Sequence, residues 1–261
     1  MKITIFTGNQ TRHNFFINLL SNISDELFVI QECNTIFPAY LESHYKVSET
    51  MKSYFDRVKK AQNFFFGNSY IKSNNKINLL PIKLYDLNKL NLSKISDFLN
   101  SDIYLVFGSS FIKGELVNYL IEKKAINIHM GIAPFYRGAD CNFWAIYDNN
   151  PHLVGSTVHL LSKRLDSGEI LFHALSNIKN DPFEYSMSTV KSVFNSIISK
   201  IEDKTLLTLK SHSQKKNLQI RYSVKDDFTD IVVKEYMMKK INLMSKKFDD
   251  KLLINPFVLE N

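Results

Sequence analysis

The chain has 261 residues, of which 44% are hydrophobic and 23% charged, ordinary values for a soluble globular protein with a sizeable core. Cys33 and Cys141 stand far apart without metal-type spacing, so neither a disulfide framework nor a zinc site is expected, and no metal is assigned. The formal net charge of +7 favours anionic partners, but Lys191 to Lys251 holds 14 Lys and Arg interleaved with 8 Asp and Glu, the pattern of a solvated face rather than a nucleic-acid surface.

MKITIFTGNQ opens the chain with an apolar run that Gly8 and Asn9 cut short, below the length of a signal-peptide core or a membrane span. It reads as a first strand in a cytoplasmic protein with no membrane partner. Further β-type runs follow at 27–30, 79–84, 103–107 and 126–129, separated by helix-compatible stretches at 14–20, 50–66, 87–99 and 115–122. Alternation of this kind predicts an α/β domain, doubly wound around a largely parallel sheet, with right-handed crossovers. After Gly138 the pattern changes to a helix at 141–147, paired β runs at 153–160 and 169–178, and a helix from Asp181-Pro182 to about Ser199. A strand at 218–223 and a helix at 230–245 complete the expectation, which divides the chain into a catalytic region, 1–200, and a C-terminal extension, 201–261.

The chemistry-bearing stretch is INIHMGIAPFYRG, Ile126 to Gly138. Strand side chains alternate, so Asn127 and His129 project to one side while Ile126 and Ile128 point to the other. In an open α/β sheet ligands sit beyond the carboxyl ends of the strands, where these two polar groups converge and where the following loop brings Tyr136 and Arg137 to a pocket rim. GSTVHLLSKRLDSGEIL, Gly155 to Leu171, adds a hairpin with Asp166 in its turn.

Taken together, Asn127-Ile-His129, Pro134-Phe-Tyr-Arg137-Gly138, Gly155-Ser-Thr157-Val-His159 and Asp166-Ser-Gly168 resemble the shared motifs of the folate-dependent formyltransferases, over about residues 1–200. That resemblance implies a Rossmann-like formyltransferase fold, N10-formyltetrahydrofolate as co-substrate, and Asn127, His129 and Asp166 as the catalytic set. Transfer of a formyl group to an amine needs donors aimed at a developing oxyanion and a route for the amine proton, which an amide, an imidazole and a carboxylate supply. His159 is expected as a supporting or packing histidine. The segment Phe107, Gly108, Ser109, Ser110, Phe111 and Ile112 falls where the family places backbone contacts to the pterin; a plain strand-to-helix turn explains it equally.

Three acceptors compete. A Gly-Asn start to the first turn is similar to the glycinamide ribonucleotide branch, but GNQTRH is poorer in Gly and Ser, and the chain is longer than that branch. The basic C-terminal third suits methionyl-tRNA formyltransferase, whose Ser-Leu-Leu-Pro loop is here Gly131-Ile-Ala-Pro134 and whose appended barrel is longer than the 60 or so residues available. HMGIAPFYRGADCNFWAIYD most resembles the sugar-nucleotide N-formyltransferases, in particular the GDP-perosamine type, which implies surface polysaccharide (O-antigen type) biosynthesis. YFDRVKKAQNFFFG and RYSVKDDFTD agree with that branch. The expected acceptor is therefore a GDP-, dTDP- or UDP-linked 4-amino-4,6-dideoxysugar, with Arg12, His13, Tyr136 and Arg137 binding it and no nucleic acid as partner. Phe135, Tyr136, Phe143 and Trp144 suit either a sugar methyl or the core. A homodimer through the C-terminal segments is compatible with this reading, and a non-catalytic folate- or nucleotide-binding module is the alternative from another class.

Overall fold

A computed structural model describes residues 1–41, 45–239 and 252–259. The first half alternates as expected: β1 (Lys2–Gly8), α1 (Thr11–Ile23), β2 (Glu26–Cys33), α2 (Glu49–Phe66), β3 (Ile77–Lys83), β4 (Ile103–Phe107), α3 (Gly114–Glu122) and β5 (Ile126–His129). There follow β6 (Tyr136–Gly138), α4 (Cys141–Tyr147), β7 (Ser156–Leu160), β8 (Ile170–Ser176), α5 (Pro182–Glu202), β9 (Arg221–Ser223), α6 (Asp230–Met238) and β10 (Phe257–Leu259). The main sheet runs β10-β8-β7-β5-β4-β1-β2-β3. From β3 to β5 every pairing is parallel; β7 is antiparallel to both β5 and β8, and β10 lies parallel to β8. The doubly wound, largely parallel sheet read from the sequence is thus present.

The apolar runs become strands buried on both faces because helices cover both: Ile3, Ile5, Leu27, Val29, Leu105 and Phe107 pack into one cluster with α1, α2 and α5, while Phe6, Ile30, Tyr104 and Val106 pack with α3 on the other side. Asp181 starts α5 by accepting from the amides of Phe183 and Glu184, with Pro182 in the first turn. Its long buried stripe places Phe194 against Phe16, rings stacked at 4.2 Å.

Four expected elements differ. The stretch 87–99 forms two 3₁₀ helices, Leu87–Lys89 and Leu92–Leu99, instead of one α-helix. Asn91 restarts the second by accepting from the Ser93 amide, and Ile95 breaks its regularity. The strand expected from Leu153 begins at Ser156, since Pro151–Leu153 is a 3₁₀ turn and the Gly155 amide donates to Asn142 Oδ1 at 3.0 Å. Lys216–Leu218 is likewise a turn, which shortens the expected strand 218–223 to β9. α6 stops at Met238 with Lys239 extended, and the remainder of the helix expected to reach Ser245 lies outside the described residues.

The C-terminal third is woven into the core. β9 pairs in parallel with β6, and α6 sets Tyr236 on Phe143, rings 4.4 Å apart. Ile254 donates its amide to His173 Nδ1 at 2.9 Å just before β10 joins the sheet edge. Phe135, Tyr136, Phe143 and Trp144 are all buried, the core alternative for that cluster; Phe143 also borders the cleft described below.

Candidate active site

Strand order reverses between β1 and β4, and a cleft of about 840 Å³ opens at their carboxyl ends. His13 closes its floor. A Cβ at Gly8 would stand 2.8 Å from the His13 ring, and one at Gly108, where φ is +63°, only 2.7 Å from Nε2, so both glycines are required by the close approach. Burial, then the charge of Arg12, holds the imidazole well below its ordinary pKa, and Nε2 is buried without a protein partner. His13 therefore borders the cleft as a neutral group.

From the floor, the cleft extends to the carboxyl end of β5. The antiparallel register sets Asn127 opposite His159 and His129 opposite Thr157. Asn127 Nδ2 lies 3.0 Å from His159 Nε2, whose other ring nitrogen is 2.8 Å from the Leu160 carbonyl. A carbonyl accepts only, so the Leu160 contact assigns the proton to Nδ1; Nε2 then accepts from Asn127, which fixes which way the amide points. The second N–H of Asn127 faces Asp166 Oδ1 at 3.5 Å.

Asp166 arrives from the β7–β8 hairpin in a left-handed conformation, φ +46°. The turn is held where it is because Gly168 sits directly on β7, where a Cβ would stand 1.7 Å from the Leu160 carbonyl oxygen. Gln214 Nε2 clamps it from outside by donating to the carbonyls of Asp166 and Gly168 at 2.9 and 2.8 Å. Asp166 Oδ2 then accepts from the Gly138 amide at 3.0 Å and lies 3.3 Å from His129 Nδ1. Burial pushes this carboxyl up, but the attraction of His129 and His159 and the Gly138 hydrogen bond outweigh it and hold the pKa at about 2. For His129 burial wins over the attraction of Asp166, so its pKa is lowered and the ring is neutral at pH 7. Its Nε2 lies 3.2 Å from the Tyr136 carbonyl.

Asn127, His129 and Asp166 are therefore brought together in space, and His159 touches them directly rather than only packing nearby. All of Phe107, Gly108, Ser109, Ser110, Phe111 and Ile112 border the cleft. Glu32 sets their course: it accepts from the Ser110 amide at 2.5 Å, the Ser110 hydroxyl at 2.8 Å and the Tyr85 amide at 2.8 Å. With Val106, Phe107, Ile112 and Leu161 supplying apolar walls beside exposed loop backbone, this end fits a flat heterocycle. Among the described residues no group of three or more His, Cys, Asp or Glu is placed to hold a metal.

The four residues expected to bind the acceptor do not stay together. Arg12 borders the cleft and donates to Gln62 Oε1 at 2.7 Å. Near it stands Asp140, half-buried and unnoticed in the sequence; removal from solvent pushes its carboxyl up to about 6 against the pull of Arg12 and a hydrogen bond with Tyr45. Tyr136 corrects the expectation of a rim residue. Its side chain is fully buried, and its hydroxyl accepts from Asn150 Nδ2 at 2.9 Å, because β9 pairs over β6 and turns the ring inward. Arg137 stands outside the main cleft, donating to the Leu165 carbonyl at 2.6 Å, and does not join Arg12.

Residues 86–200 match the family model described as formyl transferase. Over that stretch the chain is similar to the formyl transferases. The stretch contains Asn127, His129, His159 and Asp166, while Arg12, His13 and Glu32 precede it and Gln214 follows it. Similar folds occur in a sugar N-formyltransferase from a Shewanella species (17% identity, 87% of this chain and 78% of that one, TM-score 0.56) and a 4-N formyltransferase from Francisella tularensis (16%, 87% and 77%, 0.52). An N-formyltransferase from Helicobacter canadensis, crystallised with folinic acid and dTDP-3-aminofucose, is similar at 15% identity over 88% of this chain and 72% of that one, TM-score 0.53. At these identities the likeness is one of fold, and it extends the formyl transferase architecture to the elements flanking that stretch.

Proposed function

We propose that this chain transfers a formyl group from N10-formyltetrahydrofolate to the amine of a nucleotide-linked 4-amino-4,6-dideoxysugar, with Asn127, His129 and Asp166 as catalytic residues. The reading is carried by the convergence of an oriented amide, a neutral imidazole and an ionised carboxylate on one wall of a cleft within the volume range of small-molecule sites. The folate donor supplies the formyl carbon. Attack by the amine draws negative charge onto the formyl oxygen and leaves a proton to be removed. Asn127 answers the first need: His159 holds one N–H, and the other, only 3.5 Å from Asp166, is loosely committed and free to meet the oxygen.

His129 answers the second. The Asp166 carboxylate, 3.3 Å from Nδ1, and the Tyr136 carbonyl, 3.2 Å from Nε2, compete for the one proton of the neutral ring; the ionised carboxylate is the stronger acceptor and holds it at Nδ1, which leaves Nε2 as the basic atom. The Nε2–H formed when the proton is taken up donates to the Tyr136 carbonyl at 3.2 Å, the imidazolium is stabilised by an Asp166 already ionised at any pH well above 2, and the proton passes to folate N10 as the formyl carbon–N10 bond breaks and tetrahydrofolate leaves.

The acceptor reading draws on the Helicobacter canadensis protein, whose ligands are a folate and a dTDP-linked amino sugar, and on the Francisella tularensis protein, named for 4-N transfer. Arg12 and Asp140, which both border the cleft, are the acceptor-side groups in this proposal. A GDP-, dTDP- or UDP-linked sugar, a place in surface polysaccharide biosynthesis, a cytoplasmic location and a homodimer complete it, with residues 201–261 serving acceptor binding or dimerisation. Among the described residues no helix is long and apolar enough to cross a membrane. The test is a panel of GDP-, dTDP- and UDP-linked amino sugars incubated with the donor and scored for a formyl mass increment. We expect an increment on a 4-amino sugar; formylation of methionyl-tRNA with no increment on any sugar overturns the acceptor assignment.

A further inference from the structure

A second, shallower cleft of about 450 Å³ lies beside the first and is bounded by Phe111, Arg137, Lys163, Arg164, Leu165 and Tyr222. Phe111, Arg164 and Leu165 border both, so the two clefts share a lip. That lip joins the last turn of the Phe107–Ile112 segment to the residue just before Asp166. Three cations meet in the second cleft, and none of them forms an ion pair among the described residues. Lys163 and Arg164 are exposed. Arg137 spends one terminal nitrogen on the Leu165 carbonyl at 2.6 Å and the other, more loosely, on Gln219 Oε1 at 3.4 Å, while its Nε is buried without a partner. Around these charges Phe111 and Tyr222 stand 49% and 48% exposed, with Arg137 over the Tyr222 ring at 5.9 Å.

Unpaired cations beside solvated aromatic and aliphatic faces suit an elongated ligand that is flat and apolar at one end and polyanionic at the other. A folate has that form: a heterocycle, then an aminobenzoyl ring, then glutamyl units, each γ-linked unit adding one carboxylate. We propose that the second cleft holds the oligo-γ-glutamyl tail of the folate donor, with Phe111 and Leu165 flanking the aminobenzoyl ring at the lip and Arg137, Lys163 and Arg164 meeting the tail carboxylates. This rests on the folate-dependent reading of the main cleft. The main cleft also separates the tail from the acceptor: Arg12 belongs to α1 and bonds to α2, whereas all three cations of the second cleft lie on β6 and the β7–β8 hairpin. A nucleoside diphosphate, the other polyanion available, is thus the rival occupant.

Calorimetry on the whole chain, with tetrahydrofolate carrying one or three glutamates and with GDP, dTDP and UDP as separate probes, decides between them. We expect the triglutamate to bind about fivefold more tightly than the monoglutamate at low salt, as partly screened ion pairs allow, with the preference shrinking at high salt. Lys163→Ala with Arg164→Ala should abolish the preference, and Lys163→Arg with Arg164→Lys should keep it. Equal affinities for the two folates in the unaltered chain overturn the proposal, as does a preference that survives the double alanine variant. Loss of nucleoside diphosphate binding in that variant, with the folate preference intact, assigns the cleft to the acceptor and overturns it too. Failure of both folates to bind overturns the folate-dependent reading itself, and the tail site with it.

Discussion

The amide of Gly138 donates to Asp166 Oδ2 across 3.0 Å, joining the loop after β5 to the turn of the β7–β8 hairpin. Gly138 has φ +97°, and a Cβ there would stand 1.9 Å from the Ser223 carbonyl oxygen, so the same residue also lets β9 close over β6. The site carboxylate and the C-terminal third thus depend on one glycine.

Gly138→Ala should therefore lower both stability and turnover. Left-handed strain and the displaced β9 backbone together predict a loss of about 2–4 kcal/mol. Urea unfolding of the variant checks the stability. Turnover should fall even under conditions where the variant is folded, because the backbone shift that relieves the clash draws the amide of residue 138 away from the Asp166 carboxylate; unchanged turnover would detach Gly138 from the site.

His129→Asn and Asp166→Asn should fold and bind tetrahydrofolate, yet lose about 10²–10⁴ in kcat, since Asn is isosteric with the Asp166 carboxylate and reproduces the Nδ1 side of the His129 ring while removing the acid–base or charge function. Asn127→Ala removes an oxyanion donor and should cost about 3–4 kcal/mol of barrier. Single-turnover rates beside donor affinities separate these effects from binding. Near-normal turnover by any of the three well-folded variants would remove that residue from the catalytic set.

Much of this was legible in the sequence because strand alternation alone puts Asn127 and His129 on one face, and hairpin chemistry puts Asp166 in a turn. The contact of His159 with Asn127 was not, since it depends on β7 running antiparallel beside β5, a pairing that no local pattern encodes. Glu32 and Gln214 were invisible for a related reason. Each acts on backbone amides or carbonyls 46–78 residues away, through polar side chains whose local sequence gives no sign of a partner. Tyr136 was misplaced because a Pro-Phe-Tyr-Arg loop reads as exposed until β9, 85 positions further on, pairs over it. The region 87–99 has helical spacing, but Asn91 competes for the Ser93 amide and splits it.

Acid should destabilise the fold through its buried histidines. His173 is fully buried: Nε2–H donates to the Ala133 carbonyl at 3.0 Å, and Nδ1 must stay unprotonated to accept from the Ile254 amide. Burial lowers its pKa to about 4, against an ordinary 6.5. A group depressed in the folded state binds its proton more readily when unfolded, so stability is complete above pH 6.5 and is lost as pH falls from there towards 4. Between pH 7 and 5 this amounts to about 2 kcal/mol, at 1.36 kcal/mol per pKa unit. His13 and His129 are lowered by burial in the same sense. Urea unfolding of the parent and of His173→Gln at the two pH values should show the variant less stable at pH 7 but about 2 kcal/mol less sensitive to acid; equal sensitivities would mean that His173 does not titrate in this window.

The basic C-terminal third separates the acceptors by salt. Lys215, Lys216 and Lys234 are exposed, whereas Lys239 donates to the Tyr147 carbonyl at 2.5 Å and lies over its ring, and Lys240, Lys246 and Lys247 lie outside the described residues. A sugar nucleotide presents two phosphates, so raising monovalent salt should weaken acceptor binding modestly. A tRNA surface would release many counterions and give a steep log–log slope. Neutralising Lys215, Lys216 and Lys234 together should leave turnover with the amino-sugar nucleotide within about twofold, because none of the three borders the main cleft and exposed charges are screened by salt. Efficient formylation of methionyl-tRNA, abolished by those three substitutions, would make the Lys-rich face a nucleic-acid surface and replace the acceptor proposed for this site.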